Sequence, residues 1–127
     1  MKLAGFKIGN SNTWGVIEDE EAIDVGSILK DRYHDLKSAI AADALPAARD
    51  AAGKAKRYAT VDITWLPVIP NPDKILCIGL NYETHRKETG RSEVENPTVF
   101  GRFANSQTGH LANIIRPKVS HDLGHQP

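Results

Sequence analysis

The stretch from Lys74 to Gly90, KILCIGLNYETHRKETG, constrains the fold of this chain more than any other segment. Its apolar run at 75–78 is short and stiff, which predicts a strand that is buried on both faces. Gly79 ends the run, and polar side chains follow at once. A buried strand that carries polar residues just beyond its end can hold reactive groups in fixed positions. We therefore expect a candidate site directly after residue 79.

His85 and Glu88 are the candidate catalytic pair of this segment. Three residues apart on a helical turn, their side chains would lie on the same side and within hydrogen-bonding reach. A carboxylate on one ring nitrogen fixes the tautomer and raises the basicity of the other nitrogen, so the pair suits a general base. A histidine and a glutamate at this spacing are more often simply solvated, so the spacing alone is weak evidence for function.

Three motifs in a fixed order add to this evidence. G-L-N-Y-x-x-H-x-x-E-x-G is followed by P-T-V-F-G-R-F-x-x-S-x-x-G-H and then by R-P-K-V-S. Over about residues 67 to 123, this order resembles the fumarylacetoacetate hydrolase (FAH) family. The resemblance implies a metal-dependent enzyme that hydrolyses, isomerises or decarboxylates small keto or enol dicarboxylic acids. Family members are usually homodimers, so a second copy is an expected partner.

The resemblance also assigns roles to individual residues. It implies that His85, oriented by Glu88, activates a water molecule. Many members carry a lysine near Arg102, and the planar guanidinium of Arg102 could hold a substrate carboxylate in a bidentate way. The loop 81–96 is expected to close over the site. Substrate contacts are implied for Asn81, Tyr82, Arg102, Ser106, Gln107 and His110.

The family's metal ligands are missing from this sequence. In the family, R-P-x-x-S leads into L-D-Y-E-x-E, whose glutamates hold a divalent metal, usually magnesium or manganese, together with a downstream aspartate. Here Leu123 matches, but Gly124 stands for the aspartate, Gln126 stands for the first glutamate, and Pro127 is the last residue. We therefore expect a truncated or frameshifted form that binds no metal and has negligible turnover on its own.

Two other functions remain open. One is a non-catalytic binding or regulatory module that docks on a full-length paralogue. The other is a small zinc protein that uses His121 and His125, which have the H-x-x-x-H spacing. Gly124 and Pro127 disfavour a helix at that point, and no cysteine or third ligand lies nearby in the sequence. The zinc hypothesis is therefore the weakest of the three.

Composition argues against several other classes of protein. Sixteen basic and sixteen acidic residues cancel, so we expect no electrostatic footprint for nucleic acid or an anionic membrane. No apolar run approaches the roughly 20 residues of a membrane helix, and the N-terminus does not resemble a signal peptide. The single cysteine, Cys77, excludes an internal disulfide and is expected to be a buried small hydrophobe. A cytoplasmic location is the default expectation.

The N-terminal half predicts strands and short helices. Three apolar runs, the last over 22–29, predict β-strands, and the turn residues 9–12 predict a hairpin between the first two. Trp14 is expected in the core. The alanine-rich segment 35–57 predicts helices, with Pro46 at the start of the second. Alternating apolar residues over 61–65 predict a further half-buried strand.

The whole pattern predicts an α+β fold with two domains. Three prolines between 67 and 72 mark the boundary between a small β-rich N-terminal domain with short helices, 1–66, and the start of an FAH-type mixed β-roll catalytic domain, 67–127. Without partner strands, the apolar faces of the strands expected at 75–78 and 98–103 would be exposed and would promote aggregation.

Overall fold

The computed structural model describes residues 1–79 and 96–119. This part of the chain is α+β, as the sequence predicts, with short helices packed beside antiparallel sheet. No helix within the described residues is long and apolar enough to cross a membrane.

The described residues form two compact units. The first unit comprises Met1–Ile69 together with the described residues from Thr108 onwards, and the second comprises the described residues between Pro70 and Gln107. The division into domains 1–66 and 67–127 stays a prediction.

The first unit is built on a five-stranded antiparallel sheet with the order β4-β3-β2-β1-β5. The predicted hairpin between β1 and β2 is confirmed, since Ile8 pairs with Ser11 across a two-residue turn. Gly9 begins this turn at φ +58°, a conformation that glycine adopts without steric cost. The strands are β1 (Lys2–Ile8), β2 (Ser11–Glu18), β3 (Glu21–Ile23), β4 (Arg57–Ala59) and β5 (Thr64–Trp65).

Three short helices lie in the same unit. Asp35 caps the second helix, because its carboxylate accepts a hydrogen bond from the backbone N–H of Ser38 at 2.7 Å. Pro46 lies in the first turn of the third helix, as predicted. Backbone N–H groups in a first turn have no acceptor within the helix, so the N–H that proline lacks costs no hydrogen bond. The helices are α1 (Val25–Leu29), α2 (Leu36–Ala41) and α3 (Leu45–Ala52).

Two of the predicted strands are wrong in part. The run 22–29 leaves the sheet after Ile23, because the Asp24 carboxylate accepts a hydrogen bond from the Ser27 backbone N–H at 3.1 Å and caps α1. In the run 61–65, the first residues belong to a 3-10 turn, Thr60–Asp62, and only Thr64–Trp65 is a strand.

The core of the first unit lies between the sheet and the helices. Trp14 is 2 % exposed, as predicted, and its Nε1–H donates to the carbonyl of Tyr33 at 3.3 Å. Alanines supply most of the helical side of this core, so the helices can approach the sheet closely. The buried cluster consists of Trp14, Val16, Ile23, Val25, Leu36, Ala39, Ala44, Ala48 and Ala51.

The second unit contains an antiparallel pair of strands, β6 (Ile75–Gly79) and β7 (Thr98–Arg102). Ile75 pairs with Arg102, and Gly79 pairs with Thr98. Within the described residues, this two-stranded sheet has no third strand. Isolated two-stranded sheets are marginally stable in water.

One face of this pair is apolar and exposed. Leu76 is 67 % exposed and Ile78 is 49 % exposed, so the prediction of a strand buried on both faces is wrong. Val99 lies opposite Ile78, on the same face, and is 54 % exposed. Cys77, on the other face, is half-buried rather than buried. The expected exposure of apolar side chains on these strands is confirmed.

The exposed face should cause self-association. We expect the wild-type chain to associate as its concentration rises, and the double substitution Leu76→Lys and Ile78→Lys to suppress this association by replacing the apolar face with charge. Sedimentation velocity over a range of concentrations measures the effect. Val61→Lys is the matched control, because Val61 is 88 % exposed but lies in the first unit. Association that persists in the double variant would contradict the account.

Asp24 should be important for the stability of the first unit. It is 6 % exposed and also accepts a hydrogen bond from the Thr13 hydroxyl. Asp24→Ala leaves both donors without this acceptor and should lower the free energy of unfolding by roughly 1–3 kcal/mol. Asp24→Asn keeps an acceptor oxygen and should lose less. Urea denaturation followed by tryptophan fluorescence tests this, and equal losses in the two variants would contradict the capping role.

Candidate functional site

The predicted catalytic pair, His85 and Glu88, lies outside the described residues, as do Asn81 and Tyr82. Their roles stay predictions. The other four predicted substrate contacts lie within the described residues, and their local surroundings can be examined one by one. They are Arg102, Ser106, Gln107 and His110.

Arg102 is the last residue of β7 and is half-buried. The antiparallel register pairs it with Ile75, the first residue of β6. Gly79, the last described residue before the predicted catalytic pair, is at the other end of β6. At a rise of about 3.4 Å per residue, these two ends are about 14 Å apart. The strand pairing thus puts the Arg102 cation at the opposite end of the two-stranded sheet from Gly79.

Ser106 and Gln107 brace the 3-10 turn Ala104–Ser106 that follows β7. The Ser106 hydroxyl donates to the carbonyl of Phe103 at 2.7 Å, and the Gln107 side-chain amide donates to the carbonyl of Ala104 at 3.3 Å. Both side chains therefore have a structural role in this arrangement. The sequence signal for it is the three-residue spacing between each donor and its acceptor, which is typical of local side chain to backbone bonds.

His110 belongs to the first unit, whereas Arg102, Ser106 and Gln107 belong to the second. Its ring lies edge-on against Trp65, with the ring centroids 5.9 Å apart and the ring planes at 76°. This is one of the preferred geometries for a pair of aromatic rings. The sequence assigned Trp65 only to a strand, because periodicity carries no information about a contact between residues so far apart in the chain.

The backbone around His110 forms a tight turn. The carbonyl of Gly109 accepts a hydrogen bond from the N–H of Ala112 at 3.1 Å, which places His110 and Leu111 at the two central positions. Leu111 has φ +61°, in the left-handed region that a leucine rarely adopts. The sequence motif S-x-x-G-H marks the glycine but gives no sign of the strained leucine.

Among residues 1–79 and 96–119, no group of three or more His, Cys, Asp or Glu side chains is arranged to hold a metal ion. The described residues therefore do not supply the carboxylate set that the family resemblance requires for a divalent metal. His121 and His125, the residues of the zinc hypothesis, lie outside the described residues.

A cleft of about 460 Å³ lies in the first unit, beside β2 and α1. Trp14, Asp24, Lys30 and Tyr58 are among the residues that line it. The buried Asp24 carboxylate is engaged by Thr13 and Ser27, as described above. In the described part of the chain, no buried side-chain nitrogen or oxygen lacks a hydrogen-bond partner. The cleft therefore offers a ligand no buried polar group that still needs a partner.

A surface ion-pair cluster lies on the sheet of the first unit. Arg57 on β4 contacts Glu21 on β3 at 2.8 Å and Glu18 on β2 at 3.3 Å. The hydrogen bond with Glu21 raises the pKa of the Arg57 guanidinium above its usual value. Because all three side chains are largely exposed, this cluster ties neighbouring strands together weakly.

Comparison with known proteins gives several relatives, although no protein-family model matches the chain. Oxaloacetate tautomerase Fahd2a of Rattus norvegicus is 36 % identical over 61 residues, which are 48 % of this chain and 20 % of the rat protein. A fumarylacetoacetate hydrolase domain-containing protein 2 homolog of Dictyostelium discoideum is 38 % identical over 55 residues, which are 43 % of this chain and 18 % of that protein.

The fold also matches a solved structure. A crystal structure from Mycobacterium smegmatis, described as that of an HpcE protein, superposes with a TM-score of 0.58 at 21 % sequence identity. The match covers 90 % of this chain and 40 % of the mycobacterial chain. At this identity, the match establishes a shared fold.

The fold and the sequence relatives agree on the class of protein. An α+β chain with this topology is shared with the mycobacterial structure, and the sequence matches are to fumarylacetoacetate hydrolase domain-containing proteins and to oxaloacetate tautomerases. These matches support an assignment of the chain to the fumarylacetoacetate hydrolase family. It spans about a fifth of the length of the curated relatives that it matches.

Proposed function

We propose that this chain carries the proton-transferring and acid-binding part of an FAH-family enzyme that acts on small keto or enol dicarboxylic acids. The observation that carries this proposal is the match to proteins named as oxaloacetate tautomerases, together with the ordered motifs from Gly79 to Ser120. Among hydrolysis, isomerisation and decarboxylation, the names of these relatives favour isomerisation between keto and enol forms.

The proposed chemistry needs one well-placed base. In a tautomerisation, His85 would take a proton from the carbon beside the ketone, and the proton would return to the enolate oxygen. Glu88, hydrogen-bonded to the other ring nitrogen, would fix the tautomer and stabilise the imidazolium. In a hydrolysis, the same base would take a proton from a water molecule. The sequence assigns both residues to a single turn, which suits either reaction.

The acid would be held by groups that complement its carboxylates. Arg102 offers a planar set of donors to a carboxylate. The Ser106 hydroxyl could donate to the acid only by giving up the Phe103 carbonyl, whereas the Gln107 side-chain amide carries a second N–H besides the one that it donates to Ala104. His110, Asn81 and Tyr82 complete the set that the sequence assigns to the substrate.

A divalent metal, magnesium or manganese, would supply charge stabilisation in a complete family enzyme. Within the described residues, no cluster of side chains could bind this metal. The sequence has Gly124 and Gln126 at the positions where the family has carboxylates. The proposed steps therefore use only residues of this chain. We propose that this chain alone has negligible turnover.

A second candidate function is a non-catalytic module that docks on a full-length paralogue. The exposed apolar face formed by Leu76, Ile78 and Val99 favours it, because such a face is typical of a surface that a partner covers. Stable, soluble folding of the isolated chain together with a specific partner would favour this function, and the absence of a partner would argue against it.

The location and the assembly of the protein are also proposals. A cytoplasmic location follows from the default expectation, although the mammalian relatives are named as mitochondrial proteins. A homodimer is proposed because members of the family are usually homodimers. Fractionation of the source cells and the mass of the native protein in solution test these two points directly.

Arg102 provides the sharpest test of acid binding. We expect Arg102→Gln to weaken the binding of oxaloacetate by about tenfold or more, because a hydrogen-bonded charge pair contributes roughly 1.5–3 kcal/mol. Arg102→Lys should lose less, since it keeps the charge. Arg49→Gln removes the same charge from an exposed helical position and should change nothing. Binding is measured by NMR titration, and equal affinity in Arg102→Gln and wild type would contradict the proposal.

A further inference from the structure

We propose that Trp65 is a positioning residue for His110: the indole and backbone of Trp65 hold the Gly109–Ala112 turn so that the imidazole is oriented yet exposed to an acid ligand. The inference rests on the proposed function in one respect only, which is that His110 contacts the acid. The fixed orientation of the imidazole follows from contacts within the first unit.

The first of these contacts joins two backbones. A Cβ atom at position 109 would lie 2.1 Å from the carbonyl oxygen of Trp65 and 2.8 Å from its carbonyl carbon. No real Cβ tolerates such distances to backbone, so Gly109 is the residue that allows the turn to lie directly on β5. Any side chain at this position would displace the turn from Trp65.

The second contact joins the two rings. The edge-on arrangement of His110 and Trp65 restricts the rotation of the imidazole, while His110 itself remains exposed to solvent. A ring that is both oriented and accessible loses less freedom when it binds a ligand than a ring that rotates freely.

The support under Trp65 is firm. Trp65 pairs with Phe6 of β1, and the N–H of Leu66 donates to the carbonyl of Gly5 at 3.0 Å. Phe6 is fully buried. The indole is therefore attached through β5 to the central part of the sheet, and its position does not depend on the second unit.

Strain in the turn points to the same role. Leu111 keeps φ +61° although its side chain is 85 % exposed, so burial of the leucine does not compensate for the strained backbone. Strained residues persist where the surrounding structure fixes them, and they are concentrated at functional positions. Here the contact of Gly109 and His110 with Trp65 fixes the turn.

The test uses the full chain and two separate readouts. The first needs no ligand: cross-relaxation between the ring protons of His110 and Trp65, measured by NMR. We expect it in the wild type and expect Gly109→Ala to abolish it. Gly53→Ala is the matched control, because its Cβ would meet only the Asp50 carbonyl at an ordinary 3.8 Å. Persistence of the cross-relaxation in Gly109→Ala would overturn the proposal.

The second readout is the affinity for oxaloacetate, used as the probe acid. We expect Trp65→Leu and Gly109→Ala to weaken binding about as much as His110→Gln, by roughly five- to tenfold. Trp65→Phe keeps an aromatic edge contact and should restore affinity to within about twofold of wild type. Wild-type affinity in Trp65→Leu, with a loss in His110→Gln, would overturn the positioning role.

The two readouts separate the two ideas. If the wild type binds no oxaloacetate, the proposed function fails, and the ring cross-relaxation still decides whether Trp65 orients His110. If the acid binds and His110→Gln has no effect, the acid does not contact His110, which overturns the claim that the oriented imidazole serves an acid ligand. A thermal melt of each variant identifies any loss that is due to unfolding.

Discussion

The antiparallel pairing of β1 with β2 is the interaction on which the first unit depends. β3 is added to one side of this pair and β5 to the other, and the helices cover the face that carries Trp14 and Val16. The turn at Gly9 and Asn10 sets the register, so the same register decides which side chains enter the core. The platform that Trp65 provides for His110 also follows from this pairing, because β5 is held by β1.

The second unit lacks such a framework within the described residues. β6 and β7 pair only with each other, and a sheet of two strands cannot bury its own faces. Leu76, Ile78 and Val99 are consequently exposed. Arg102, Ser106 and Gln107, which we propose to bind the acid, therefore belong to the unit that we expect to be the less stable one.

Local chemistry made much of the first unit predictable. The hairpin turn, the buried Trp14 and the position of Pro46 each depend on residues that lie close together in the sequence, and each was predicted correctly. The end of β3 was not predicted, because the apolar run 22–29 has the composition of a strand. The side chain of Asp24 interrupts this run by capping a helix. Periodicity alone does not separate these outcomes.

Contacts between distant parts of the chain were not predictable in this way. The site motifs indicated the family resemblance and marked Gly109 and His110, but nothing in the sequence pattern indicated that this turn would lie against Trp65. Likewise, the apolar run 75–78 indicated a strand, but its burial depends on neighbours that the run itself does not specify. Motifs thus identified candidate residues, whereas the contacts that hold these residues in place were found only in the structure.

Hydrogen exchange measured by mass spectrometry on the full chain tests the central claim most directly, namely that the first unit is stable by itself and that the β6–β7 pair is not. Amides of β1 and β2 should exchange only through global unfolding, because they lie in the middle of a five-stranded sheet over a packed core. Amides of β6 and β7 should exchange orders of magnitude faster, through local opening of the two-stranded sheet. Equal protection of the two pairs of strands would contradict the account.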